Sequence, residues 1–451
     1  MFTDRDLTQL RHRGITPEEA ADQQRLLQQP PRPIVLDRPC TVGDGIVQLD
    51  SSEHAALLHA GQRAASEGRV QKFVPASGAA TRMFKDLIAA LADEGPPSAS
   101  PMVRAFFDRL DDYPFAQTLR QRAGLSGAIR SADDQRRILR TLLHDMRYAE
   151  LPKALIPFHR SPVLRTAFEE QLLEGLLYTR SREGVARTHF TVAPEFRQDF
   201  EQLLAEVAPR VAIAAGQTTL AVGFTEQHPA TDTLAATVDG TPFRTADGSL
   251  LFRPAGHGAL LRNLQALNGD LVVVKNIDNV LPFERCQDVV YWKQLLIGYL
   301  AGRHATSDDE RPLRVCGVVR NEGEPGGAPF WVVHDDGRRS KQIVEASQVN
   351  LEDPAQRRVF ESATHFNPVD VICALRTTSG RPFDLEAFVD PSAVFLSKKS
   401  HEGQELVALE RPGLWNGAMA WWHTAFVEVP ASTFAPVKTV FDLLRPEHQS
   451  L

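Results

Sequence analysis

Residues 72–95 read KFVPASGAATRMFKDLIAALADEG. Apolar residues at 73 and 74 open this stretch as a strand. ASGAATRM (76–83) then forms a loop of small residues, and the pattern from Met83 onward is helical until Gly95 closes it. A small-residue loop between a strand and a helix lets backbone N–H groups approach a ligand closely, and the following helix start favours negative charge. Arg82 adds a planar cation suited to phosphate oxygens. The loop has neither the GxxxxGK[ST] of a Walker site nor the GxGxxG of a dinucleotide fold. Ala76, Ser77, Gly78, Thr81 and Arg82 are its candidate phosphate-binding residues.

Working outward, strand-like runs stand at 189–193, 220–227, 271–278, 313–321 and 330–335. Helical patterns at 163–179, 195–207 and 287–300 alternate with them, which predicts an α/β fold around a central sheet. Upstream, Thr16-Pro17-Glu18-Glu19 is a capping-box helix start running towards the prolines at 30 and 31, and Asp50-Ser51-Ser52-Glu53 starts a second helix through Ser66. The polar, Arg-rich residues 96–150 read as a helical insertion. The expected organisation is a helical segment at 1–70 and an α/β domain at 71–345 with the insertion at about 96–150. Residues 346–451 then complete the sheet and return Lys438 to the site.

Composition narrows the class. Lys plus Arg is 50 against 57 Asp plus Glu, a net charge of −7, which lacks the basic excess of a non-specific nucleic-acid binder. No run approaches 18 apolar residues, and residues 1–14 lack an apolar signal core, so neither a membrane span nor a secretory leader is expected. The four scattered cysteines form no CxxC, which argues against a zinc site or disulfide framework and for a cytoplasmic protein.

Further pieces carry chemistry. Gln227 follows a strand and offers an amide able to pair with a pyrimidine edge. In PAGHG, Gly256 and Gly258 flank His257 in a turn that permits backbone approach to a base or ribose. Asp278 in NIDN lies just past an apolar strand, where a carboxylate can hold a hard divalent ion shared with phosphates and where open α/β sheets place ligands.

Together these motifs resemble the sugar-1-phosphate nucleotidyltransferases, and UDP-sugar pyrophosphorylases among them. Gly78-Ala79-Ala80-Thr81-Arg82-Met83 is similar to their GxGTR[ML] loop, with Ala80 at the second glycine and Ser77 at the preceding one. Pro152-Lys153-Ala154-Leu155-Ile156-Pro157 resembles their PKxL[LIV]P element, Ile343 to Gln348 their VEYSE element, and TFAPVKTVFDLL (433–444) their FxPVKxxxDLL element. KNIDNV, THFNPVD, PGLWNGAM and the PVKT to DLLRPEHQ stretch are also similar to a bacterial family of domains of unknown function.

The resemblance implies a mixed, mostly parallel sheet of the nucleotide-diphospho-sugar transferase, GT-A-like type. It implies transfer of a nucleotidyl group from an NTP, UTP by analogy, to a sugar 1-phosphate with release of pyrophosphate. Arg82, Lys153 and Lys438 would bind phosphates, Asp278 would hold Mg²⁺ or Mn²⁺, and Gln227 with Gly256, His257 and Gly258 would read the base. Glu345 and Asn367 would contact the substrate. A phosphate monoester is largely a dianion at neutral pH, so the attacking oxygen needs no general base. The competing expectation is a nucleotide-sugar or sugar-phosphate binding protein without turnover, because fold does not fix function.

Overall fold

The computed structural model describes residues 2–449 except 130, 161, 162, 215, 217, 309, 324 and 325, and leaves the side chains of residues 367 and 368 undescribed. The helix starts form where side chains can close them. The Thr16 hydroxyl accepts the Glu19 N–H at 3.1 Å, the Glu19 carboxylate accepts the Thr16 N–H at 2.8 Å, and the helix runs Pro17–Gln28, short of the two prolines. The helix His54–Ser66 follows a turn in which Asp50 accepts the Ser52 N–H.

The chain divides into two compact units, each built from separated segments, rather than into three consecutive parts. The first comprises Met1–Ala64, Thr225–Val274 and Gln294–Ala431. The segment 1–70, expected to be helical, also carries the strands Val35–Pro39, Thr41–Val42 and Gly45–Val47. In this unit Gly45–Val47 pairs parallel with His423–Glu428, which pairs parallel with Leu313–Arg320. The antiparallel strand His365–Ala374 joins Leu313–Arg320 to Leu271–Val274. The 313–320 strand is buried except at its end, and its almost unbroken apolar run reflects cover on both faces. An antiparallel sheet of Phe252–Arg253, Thr233–Ala236, Gln404–Glu410 and Phe395–His401 packs with the N-terminal helices around Leu10, Leu27, Leu234 and Leu409.

The second unit comprises Ala65–Phe224, Lys275–Lys293 and Ser432–Leu451. Its strand Val70–Pro75 pairs parallel with Val185–Val192, beside which lies Thr219–Glu226. The segment 96–150 is helical as expected, with helices Pro101–Asp108, Ala116–Ala123 and Ala132–Arg140. This segment buries Phe106, Tyr113, Phe115 and Leu139 in one core with Phe73's neighbour Val74 and with Phe168 and Phe190. With parallel strands, crossover helices and antiparallel additions, the fold is α/β around a mixed, mostly parallel sheet. No helix of the described residues is long and apolar enough to cross a membrane.

The helix Ala167–Thr179 is buried along almost its whole length, yet it carries Glu169, Glu170, Gln171 and Glu174. Lys72, pointing inward from its strand, donates to Glu174 at 3.0 Å and to the Gln171 carbonyl at 2.7 Å. Lys293 lies 3.4 Å from the same Glu174 oxygen, and Tyr178 donates to it at 3.0 Å. Burial alone pushes the Glu174 carboxyl up. Lys293, Lys72 and Lys275 outweigh that and hold it well below the usual carboxylate range. Burial in turn pulls the Lys72 ammonium down to about 8. Truncating one partner of such a cluster leaves buried charge uncompensated. Glu174→Ala is expected to lower the unfolding free energy by about 3–5 kcal/mol in urea titrations; a loss under about 1 kcal/mol would show that the lysines find other partners.

Candidate functional site

The loop after the strand Val70–Pro75 is anchored at its buried positions and open at the others. Ala76 and Ala80 are fully buried, whereas Ser77, Gly78, Ala79, Thr81 and Arg82 are exposed. A Cβ on Gly78 would meet nothing within 4 Å, and its φ is not in the left-handed region, so neither packing nor backbone strain demands glycine there. The surface above it is open to approach. Arg82 has no salt bridge among the described residues, and its guanidinium is available to an anion.

The helical insertion brings the chain back onto this loop. The Ala80 N–H donates to the Leu151 carbonyl at 2.9 Å and the Lys153 N–H donates to the Gly78 carbonyl at 3.0 Å. The Thr81 hydroxyl, expected on the nucleotide, donates to the Ala149 carbonyl at 3.1 Å. Residues 78 and 153, separated by the whole insertion, are therefore held in register.

Lys153 then reaches Asp278. Its ammonium donates to Asp278 Oδ2 at 2.9 Å and to the Val437 carbonyl at 2.9 Å. Lys438 donates to the same Oδ2 at 3.0 Å. Asp278 and Lys153 are largely buried, while the Lys438 side chain is 60% exposed. Burial alone pushes the Asp278 carboxyl up, but Lys438 and Lys153 together overcome it and keep the group ionised below its ordinary value. Two ammoniums on one carboxylate leave a net positive centre beside the loop, with one side open to solvent through Lys438.

Each member is held from behind. The buried Gln171 amide donates to the carbonyls of Asn276 at 3.0 Å and Ile277 at 3.2 Å, fixing the turn that presents Asp278. The Val437 N–H donates to the Asp278 carbonyl at 2.9 Å, and the Ala435 N–H to the Asn279 side chain at 2.9 Å. The Asp442 carboxylate accepts the N–H groups of Lys438 and Thr439, and the Val440 N–H bonds the Met83 carbonyl. The turn around Pro436 is thus pinned to both the loop and the Asp278 turn.

The same C-terminal segment is fixed by a buried chain of three groups. Glu170 contacts His159 Nδ1 at 3.1 Å, and His159 Nε2 meets His448 Nδ1 at 2.9 Å with the rings stacked. Burial, with Arg165 adding to it for His159 and His159 for His448, pushes both imidazoles down to about 3. Burial raises the Glu170 carboxyl to about 8 against the pull of Arg165, 3.7 Å away.

The first unit holds the other expected residues. Gln227 donates its amide to Asp232 at 3.1 Å, and Asp232 is in turn bound by Arg13 at 2.7 Å. Gly256 has φ +74°, which favours glycine, and a Cβ on Gly258 would come within 2.0 Å of the Pro412 carbonyl. His257 is stacked on Trp415 at 4.3 Å and accepts the Leu414 N–H at 2.8 Å, and burial pushes it down to about 4. The glycines of this turn therefore serve its own backbone and its packing under residues 411–415. Glu345 is half-buried and pushed up by that burial, with Glu410 nearby raising it further. A Cβ on Gly256 would touch the same Glu410, so the turn and Glu345 share a neighbourhood. Asn367 lies on the strand His365–Ala374, and its side chain is outside the described residues.

The family model described as a domain of unknown function, DUF4301, matches residues 3–309 and 303–449. The chain belongs to the DUF4301 family. No curated protein matches its sequence significantly. Among solved structures, the uridine diphosphate N-acetylglucosamine pyrophosphorylase of Trypanosoma brucei is similar with a TM-score of 0.53 at 15% identity, over 95% of this chain and 74% of that one. The UDP-glucose pyrophosphorylase of Leishmania major matches with a TM-score of 0.53 at 14% identity, over 98% and 79%. At such identities the likeness establishes a shared fold.

Within this DUF4301 chain, Arg82, Lys153, Asp278 and Lys438 belong to one unit, and Lys153, Asp278 and Lys438 are in direct contact. Among the described residues no group of three or more His, Cys, Asp and Glu could hold a metal. Asp278 Oδ2 already accepts both lysine ammoniums, so a divalent ion at this cluster would have only the Oδ1 of Asp278 to bind. Gln171, Glu174 and the histidine pair escape motif reading. Their signal is the run of Glu and Gln inside an otherwise apolar helix.

The histidines carry a pH signature. Their ordinary value is 6.5, so between about pH 6.5 and 3 the unfolded chain binds protons that the folded chain excludes, and stability falls as pH drops. Glu170 acts oppositely: its contribution is complete below about 4.5 and is lost as pH rises through about 8. His448→Gln removes one imidazole and is expected to make the pH dependence of stability shallower by up to about 1.4 kcal/mol per pH unit near pH 5. An unchanged slope in urea titrations at several pH values would show that His448 is not held neutral.

Proposed function

We propose that this DUF4301 protein transfers a nucleotidyl group, uridylyl by resemblance, from an NTP to a sugar 1-phosphate and releases pyrophosphate. The observation that carries the reading is the ionised Asp278 carboxylate shared by Lys153 and Lys438 beside an exposed loop of small residues. In the proposed reaction, an oxygen of the sugar phosphate bonds to the α-phosphorus as the bond to the pyrophosphate oxygen breaks. The nucleophile is already anionic, so the protein's work is positioning and charge neutralisation. The exposed N–H groups of the loop and Arg82 would take phosphate oxygens. Lys153, fixed by Asp278 and Val437, would supply a stationary positive charge. Lys438, more exposed, would swing from Asp278 onto phosphate. Magnesium carried by the triphosphate would be held by Asp278 and would supply further neutralisation of phosphate oxygens. The base-reading role of Gln227, Gly256, His257 and Gly258, and the substrate role of Glu345 and Asn367, rest on the sequence resemblance.

One observation favours a second reading, a binding protein without turnover. Where the resemblance expects the second loop glycine, Ala80 is fully buried and its N–H is already bound to Leu151, so the loop offers one donor fewer.

Pyrophosphate release from UTP, magnesium and a panel of sugar 1-phosphates tests the proposal. Lys438→Ala is expected to lower kcat by about 10²–10³-fold with little change in thermal stability. Asp278→Asn is expected to abolish turnover. Ligand-dependent stabilisation of about 2.7 kcal/mol at 100 times Kd without any release would establish the binding protein instead. Neither stabilisation nor release with any NTP would overturn both readings.

A further inference from the structure

The first unit contains a cavity of about 480 Å³ lined by Arg303, Arg311, Arg338, Arg339 and Lys341, with no carboxylate among its described lining residues. Five cations thus gather around one cavity in a chain of net charge −7. The rest of the wall is aromatic. Trp331, Trp421 and Trp422 line it, with the His334 ring 4.8 Å from that of Trp421. Outside the wall, Asp336 holds Arg338 at 2.6 Å, Asp37 lies 3.2 Å from Arg339, and Asp308 pairs with His423 at 3.3 Å. Arg303, Arg311 and Lys341 form no salt bridge among the described residues. Lys341 is held 6.0 Å over the Trp331 ring, where burial lowers its affinity for a proton and Arg303 adds repulsion.

Two buried donors stand behind this wall, at atoms that solvent does not reach. Arg314, fully buried, donates Nε to the wall residue Thr424 at 2.8 Å and Nη1 to the Trp415 carbonyl at 2.6 Å. Its Nη2 has no partner, and no carboxylate neutralises it among the described residues. The indole N–H of Trp422, a residue 4% exposed, is also unpartnered. Arg303, Arg311, Arg338 and Arg339 are exposed and hydrated, whereas Lys341 is half-buried with no carboxylate partner among the described residues, a charge that a bound anion would compensate.

We propose that this cavity binds an oligophosphate carrying a planar ring, the chemistry of nucleoside di- and triphosphates, at a site separate from the residues assigned to turnover. Guanidinium forks match phosphate oxygens two at a time, and tryptophan faces take planar rings and cations. The volume falls in the range of about 300–1,000 Å³ usual for small-molecule sites. An adjoining cavity of about 740 Å³ shares His334, Arg338, Ala420 and Trp421, but its wall adds Asp22, Asp335, Asp336 and Asp390, which confines an oligophosphate to the cationic side. None of these residues takes part in the proposed transfer, so the inference stands whether or not that reaction occurs.

Tryptophan fluorescence reads the site directly, because three of the chain's five tryptophans line it. The experiment titrates UDP, and separately inorganic pyrophosphate, into the full chain, into Lys438→Ala, and into the double variant Arg311→Gln with Lys341→Gln. A saturable UDP quench is expected in the first two, with affinity weakened by about tenfold or more in the double variant. Arg303→Gln, at an exposed position, is expected to weaken it too and serves if the double variant does not fold. Absence of a quench at millimolar UDP, or a quench lost in Lys438→Ala yet kept in the double variant, overturns the proposal. Pyrophosphate binding as tightly as UDP overturns the planar-ring part.

Discussion

The second unit is organised around one buried carboxylate. Burial alone would raise the Asp278 carboxyl, and Lys153 and Lys438 would repel each other without it. The buried charges of Asp278 and Lys153 compensate each other and the exposed Lys438 adds to them, so three distant stretches of chain converge on one oxygen atom. Beneath it lies a second set of the same kind, with Glu174 between Lys72 and Lys293. Gln171 links the two, its carbonyl taking Lys72 and its amide holding the turn that carries Asp278. The strand Val70–Pro75 thus contributes twice, by a lysine turned inward and by the loop at its end.

Much of this was legible in residue order. The strand, loop and helix of residues 72–95, the insertion after them and the capping boxes are local features, set by side chains a few residues apart. The α/β class followed from alternation of elements. The two-unit division did not, because each unit is assembled from three separated passes and composition does not change where the chain crosses between them. Asp278, Lys153 and Lys438 could be singled out one by one for metal and phosphate. Their mutual ion pairs are a tertiary fact, and they make the lysines ligands of the carboxylate before any substrate is. The PAGHG turn shows the opposite case. Its glycines read as room for a base, yet Gly256 has a positive φ and Gly258 a carbonyl pressed against it, so their reason lies within the protein.

The charge of the chain acquires structure in the same way. A surplus of acid over base coexists with two local concentrations of positive charge, one around Asp278 and one along the wall containing Arg303 and Lys341. Net charge governs solubility and long-range steering, whereas a phosphate responds to the few cations within a screening length of about 8–10 Å. The two concentrations differ in kind. Around Asp278 the cations are neutralised in part and ordered by a carboxylate; along the tryptophan wall most of the ordering comes from aromatic faces.

The position of Lys438 along the chain has a consequence for biosynthesis. The loop, Lys153 and most of the hydrophobic core around them lie in Ala65–Phe224, but the last cation of the cluster arrives with Ser432–Leu451. The roughly 200 residues between these segments take about 10–40 s to translate. At the start of that interval the nascent second unit has its loop and Lys153 but neither Asp278 nor Lys438, and the Val437 carbonyl that steadies Lys153 has yet to emerge. The ion pairs on Asp278 therefore cannot all close until Ser432–Leu451 has been made, so translation itself sets the moment at which the cluster is complete.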